Sequence, residues 1–171
     1  SSLLAIGTHT TRMSAINTPS GVDGNLLLVG GQAAELQVGA GLGFDVTGDL
    51  LVSADAYGLV SGDLADPSEA DAAAGAALIS AGAGGLLTIG GNLRVSADAY
   101  AGLDFQTGTA GRAQGGSARF VASDAGVAIN GQTSISARGL GSEFSGVLTD
   151  GEVRGGLAEL LLTGQSDMTI N

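Results

Sequence analysis

Apolar residues alternate with polar ones in short runs along this chain, and the runs return at a nearly constant interval. Ala34-Glu35-Leu36-Gln37-Val38, Ala77-Leu78-Ile79-Ser80-Ala81, Ala118-Arg119-Phe120-Val121-Ala122 and Ala158-Glu159-Leu160-Leu161-Leu162 share one apolar phase, at steps of 43, 41 and 40 residues. Alternation with period 2 marks a strand with one buried face. A second run reads Gly48-Asp49-Leu50-Leu51-Val52-Ser53-Ala54-Asp55-Ala56-Tyr57 and returns as Gly91-Asn92-Leu93-Arg94-Val95-Ser96-Ala97-Asp98-Ala99-Tyr100. Thr133-Ser134-Ile135-Ser136-Ala137 is a looser copy, and Thr11-Arg12-Met13-Ser14-Ala15 reads as the first. In this phase Leu50, Val52, Ala54 and their equivalents face inward, while Ser53, Ser96 and Ser136 face out. The third run is the pair Phe44/Val46, Leu87/Ile89, Val127/Ile129 and Met168/Ile170, with Leu4/Ile6 as its expected fifth copy.

Turns follow the third run at Thr47-Gly48, Gly90-Gly91 and Asn130-Gly131. Glycine and asparagine accept positive φ at low cost, so sharp corners belong there, with Gly90 and Asn130 as the candidate positive-φ residues. Periods near 40 residues signify stacked repeats. Three short strands joined by corners, repeated without the 3.6-residue period of helices, predict an all-β parallel solenoid in which equivalent residues stack about 4.8 Å apart. The units run near 13–51, 52–94, 95–134 and 135–171 within one segment, 1–171. Gly-rich variable stretches over 17–31, 58–75, 101–115 and 139–155 read as lateral loops. The alternative is a second, weakly patterned turn in each unit, which Leu26-Leu27-Leu28-Val29 and Val147-Leu148 support; the loop is preferred. Neither end carries a polar cap, so the chain reads as a slice of a longer rod.

Composition narrows the chemistry. The chain has no cysteine and no lysine, and 17 acidic residues against six arginines give a formal net charge of −11. An acidic chain without a basic cluster is poorly suited to nucleic acid. No apolar run approaches the roughly 20 residues of a membrane-spanning helix, and no signal peptide is visible. His9 is the sole histidine, and an ordinary corner residue is the favoured reading over a triad member. The acidic stretch Asp63, Asp66, Glu69 and Asp71 could hold a Ca²⁺ through carboxylate oxygens, but reads first as a solvated loop. Asp55 and Asp98 fall at equivalent positions with Arg138 next in the column, either as paired acid and base or as a plain surface column. Tyr57 and Tyr100, continued by Leu140, form a ladder that could stack on sugar rings or simply pack. No catalytic, cofactor-binding or metal site is assigned.

The Gly-Gly-x-Ala-x-apolar opening, the Thr-Ile-Gly-Gly-Asn turn at 88–92 and the Leu-x-Val-Ser-Ala strand at 93–97 resemble the filamentous-haemagglutinin-like adhesins. More narrowly, they are similar to the large Gly/Ala-rich beta-strand-repeat surface proteins of Gram-negative bacteria. With no converging catalytic site the chain reads as a non-enzymatic adhesive or structural rod, and the resemblance implies a right-handed parallel β-helix, secreted and displayed on the cell surface. It implies as partners surface glycans or proteins of a host or neighbouring cell, or further copies end to end. The alternatives are a carbohydrate-active β-helix enzyme and a purely structural fibre or coat protein.

Overall fold

A computed structural model describes residues 2–7, 9–15, 20–61, 64, 66–144, 147–148 and 151–171. The chain winds as a parallel β-solenoid around a triangular core. The first face stacks Leu3–Gly7, Leu26–Gly30, Leu50–Ser53, Leu93–Ser96 and Thr133–Ser136 in that order. The second stacks Thr10–Ala15, Ala33–Val38, Ala76–Ala81, Ser117–Ser123 and Leu157–Thr163. The third stacks Ser20–Val22, Gly43–Val46, Leu86–Ile89, Gly126–Ile129 and Asp167–Ile170.

Register follows the apolar phase. Val52, Val95 and Ile135 are direct partners in one column, as are Leu36, Ile79, Phe120 and Leu160 in another. As hydrogen-bonded neighbours they stand one strand spacing apart, about 4.8 Å. Val52, Val95, Ile79, Phe120, Ile89 and Ile129 are fully buried, as their alternation predicts. Ile135 is only half-buried, and Leu160 is 45% exposed, because among the described residues no strand stacks on the outer side of their coil.

The opening of the chain departs from the sequence reading. Leu3–Gly7 pairs with Leu26–Gly30 on the first face, so Leu4 and Ile6 are not the third-face copy expected of them. Their side chains point out, and it is Ala5 that stands in register with Leu28. Thr10–Ala15 likewise pairs with Ala33–Val38, which puts Met13 beside Leu36 on the second face and not in the Val52 column. Residues 3–49 therefore make two short coils, with hydrogen-bonded equivalents 23 and 24 residues apart, where one long unit near 13–51 was expected. Leu26-Leu27-Leu28-Val29 is a core strand, not part of a loop. The signal that could have revealed this is Gly24-Asn25, a copy of the Gly48-Asp49 and Gly91-Asn92 corners.

From Leu50 onward the coils lengthen to 43 and 40 residues. The added chain is a lateral excursion, but not an unpatterned loop. Ala56–Tyr57, Ala99–Tyr100 and Gly139–Leu140 stack as one parallel sheet; Ala72–Ala73, Ala113–Gln114 and Val153–Arg154 stack as another. Ala72, Ala99, Ala101 and Ala113 bury a thin alanine core in this lobe. Glu143–Phe144 and Val147–Leu148 form an antiparallel pair there, so Val147 and Leu148 do not start a new turn of the solenoid. The only helix among the described residues is a single 3-10 turn, Pro67–Ala70, and no helix is long and apolar enough to cross a membrane.

Glycine does two different jobs at the corners. Positive φ occurs at Gly41, Gly84, Asp124 and Gly164, equivalent positions between the second and third faces, and also at Gly24 in the first corner after the third face and at Gly108 in the lateral excursion. Gly90 and Asn130 are not in that conformation, which corrects the expectation from their residue types. The glycines after the third face are needed for space: a Cβ on Gly90 would collide with the Thr47 carbonyl oxygen. Another such column lies where the lateral lobe rejoins the second face. There a Cβ on Gly116 would collide with the carbonyl oxygen of Gly75, and one on Gly156 with that of Gly116. Gly116→Ala is expected to destabilise by about 1–3 kcal/mol, each kcal/mol lowering Tm by roughly 2–4 °C. Gly43→Ala, where a Cβ meets nothing within 4 Å, is expected to leave Tm nearly unchanged in the same thermal melts.

Candidate functional site

Charged and aromatic side chains gather where the first face turns into the lateral lobe. There the strand leaves the solenoid through Ser-Ala-Asp-Ala-Tyr, at 53–57 and again at 96–100. Because the backbone bends at this junction, Val and the following Ser are both buried: Ser53 is 5% and Ser96 0% exposed. Strict alternation had placed these hydroxyls outside. It fails here because the strand ends at the corner.

The buried hydroxyls serve a hydrogen-bond ladder between coils. Ser96 donates its hydroxyl to one Asp55 oxygen at 3.0 Å, and the Asp98 backbone N–H donates to the other at 2.7 Å. One coil on, Ser136 donates to Asp98 Oδ2 at 3.0 Å and the Arg138 N–H to Oδ1 at 2.7 Å. Asp98 is fully buried, and Arg138 completes its shell with a guanidinium contact at 2.9 Å. Arg94 approaches the same oxygen at 3.8 Å from the outer side of the first face. Burial opposes the Asp98 charge, yet the hydrogen bonds from Arg138 and Ser136 outweigh it and hold the carboxyl below its usual range. The same contact raises the Arg138 pKa. Asp55 and Asp98 do not repel across an empty gap, since each carboxylate binds the N–H and hydroxyl of the coil after it. A parallel ladder runs along the corner before the first face, where Asp49 N–H donates to Asn25, Asn92 N–H to Asp49, and Gln132 N–H to Asn92.

Outside this ladder the two tyrosines stack, with ring centroids 4.8 Å apart and planes within 3°. The stack continues toward Leu140 and stops at Tyr57, because the coils below have no lateral lobe. Tyr57 is 71% exposed. Partial burial and the nearby Asp55 charge raise its phenol pKa. A shallow depression of about 270 Å³ lies toward the opening end of the first face, lined by Leu27, Leu51, Asn92 and Arg94 among others. Sequence reading had singled out Asp55, Asp98, Arg138, Tyr57 and Tyr100, which the structure brings together here. It missed Ser53, Ser96 and Arg94 as members; the recurring Ser-x-Asp spacing was the available signal.

The remaining candidates lie elsewhere. His9 is an exposed corner residue whose carbonyl accepts the Gln32 and Ala33 N–H groups. Asp63 falls outside the described residues. Asp66 caps the 3-10 turn through the Ser68 N–H, which lowers its pKa, and Asp71 accepts the Arg112 N–H at 2.6 Å. Those carboxylates are engaged with the backbone, and no group of three metal-ligating side chains occurs among the described residues.

No family model, curated protein or solved structure matches this chain. Any assignment of function therefore rests on the residues and their geometry.

Proposed function

We propose that the chain is a structural and adhesive rod, a non-enzymatic segment of a secreted bacterial surface protein of the filamentous-haemagglutinin-like kind. The observation that carries this reading is the fate of the polar residues. The in-register carboxylates, amides and hydroxyls that could have formed a reactive cleft are spent joining one coil to the next. A hydrolase or lyase needs carboxylates free to exchange protons with substrate. Asp98 is buried and bonded at both oxygens, and Asp55 is bonded at both as well. A rod needs what is present instead: a continuous apolar core, ladders that resist shear, and side elaboration along one edge.

The test is localisation together with inertness. Antibodies to the purified chain are expected to label intact, unpermeabilised producing cells, with the label removed by external protease. The purified chain is expected to release no reducing or unsaturated ends from common polysaccharides. Label appearing only after permeabilisation would sink the surface assignment. Polysaccharide cleavage lost on Asp98→Asn would replace the rod with the enzyme.

A further inference from the structure

We propose that Tyr57 is the platform of a binding site for a neutral pyranose sugar, at the step where the short coils give way to the long ones. The stack Leu140–Tyr100–Tyr57 ends in an empty rung. Each lateral strand lies one strand spacing from the next, and among the described residues no further strand of this sheet stacks below Ala56–Tyr57. The outer face of the Tyr57 ring is therefore open to solvent, with the residue 71% exposed, and free to take a flat ring at stacking distance. Tyr100 holds that ring flat from behind, so little side-chain freedom remains to be lost when a ligand stacks on it.

The backbone around the rung completes the chemistry. Ala56 N–H donates to Asp98 and Gly58 N–H to Tyr100, both in the coil above. In a parallel ladder alternate residues direct their N–H and C=O groups to opposite sides. Tyr57 therefore turns its own N–H and C=O toward the empty rung. An apolar ring face beside one donor and one acceptor suits a pyranose, which has an apolar C–H face and hydroxyls around its edge. A peptide strand is the weaker fit, because the lateral edge strand is two residues long and offers too few ladder bonds to hold one. The formal net charge of −11 selects against polyanionic glycans.

The site deepens the adhesive reading but is tested on the purified chain, so its failure would leave the surface-labelling result standing. The chain has two tyrosines, Tyr57 and Tyr100, and no tryptophan, so the near-ultraviolet tyrosine signal reports this stack alone. The chain is titrated with neutral tetrasaccharides of glucose, mannose, galactose and N-acetylglucosamine, with oligogalacturonate and an extended Gly/Ser-rich peptide alongside. At least one neutral sugar is expected to give a saturable change at millimolar concentration. Calorimetry of that sugar should show binding weakened about tenfold by Tyr57→Leu and preserved within about threefold by Tyr57→Phe. Leucine already occupies this column at Leu140, so the first variant keeps the lobe folded while removing the aromatic face. No response to any neutral sugar, binding confined to the uronate or the peptide, or undiminished binding by Tyr57→Leu would overturn the proposal.

Discussion

Phe120→Ala is expected to destabilise the solenoid by about 3–5 kcal/mol, the range for truncating a fully buried aromatic side chain. Phe120 is the largest fully buried side chain of the second face and stands between Ile79 and Leu160 in its column. In a stacked repeat each coil is stabilised chiefly by its neighbours. The cavity would therefore weaken two interfaces at once, that with Ala76–Ala81 and that with Leu157–Thr163. Urea unfolding followed by far-ultraviolet circular dichroism measures the loss, and Leu160→Ala is the control. Leu160 shares the column but is 45% exposed, so its truncation should cost about 1 kcal/mol or less. Equal losses for the two variants would mean that the column is not continuous.

The second large effect belongs to Asp98. Asp98→Ala removes the acceptor for the Ser136 hydroxyl, the Arg138 N–H and the Arg138 guanidinium together. Leaving the first two without partners at a buried junction is expected to cost about 2–3 kcal/mol. Asp55→Ala strands the hydroxyl of fully buried Ser96 and the Asp98 N–H in the same way and should cost a similar amount, about 2–3 kcal/mol. The pH dependence separates a charged ladder from simple packing. The Asp98 pKa is lowered in the folded state, so its contribution is fully present above the unfolded value of about 3.9. That contribution is lost as pH falls below that value and through the folded pKa, because the unfolded chain takes up the proton more readily. Wild-type stability should decline below about pH 4, and Asp98→Asn should flatten part of that decline. A decline of the same slope in both would assign the acid sensitivity to other carboxylates.

Much of the solenoid was legible in the sequence because stacking demands it. A residue in a column has as its nearest neighbours the equivalent residues of the adjoining coils, so Val52, Val95 and Ile135 must keep one phase and one size class. Such constraints write themselves into the chain as a period. The class of fold, the three-strand coil and the central buried columns all follow from that period. The first 49 residues did not yield to the same reading. Leu3-Leu4-Ala5-Ile6 is apolar at every position, so alternation does not fix which phase faces in, and Met13 fits the second face as well as the first. Alternation reports that a strand has an inside, not which strand lies beside it; only pairing with Leu26–Gly30 and Ala33–Val38 decided the matter.

The candidate site divides in the same way. The recurrence of Asp55 with Asp98 and of Tyr57 with Tyr100 marked the corner in the sequence, since equivalent positions in adjoining coils must come together. The direction of each side chain there was decided by the bend of the backbone out of the first face. That bend buries Ser96 and Asp98, turns a pair of carboxylates into links between coils, and leaves Tyr57 at the lower edge of the lobe. The step that exposes it exists because two short coils precede the long ones, a difference in coil length that residue alternation does not record and the stacking of strands makes visible.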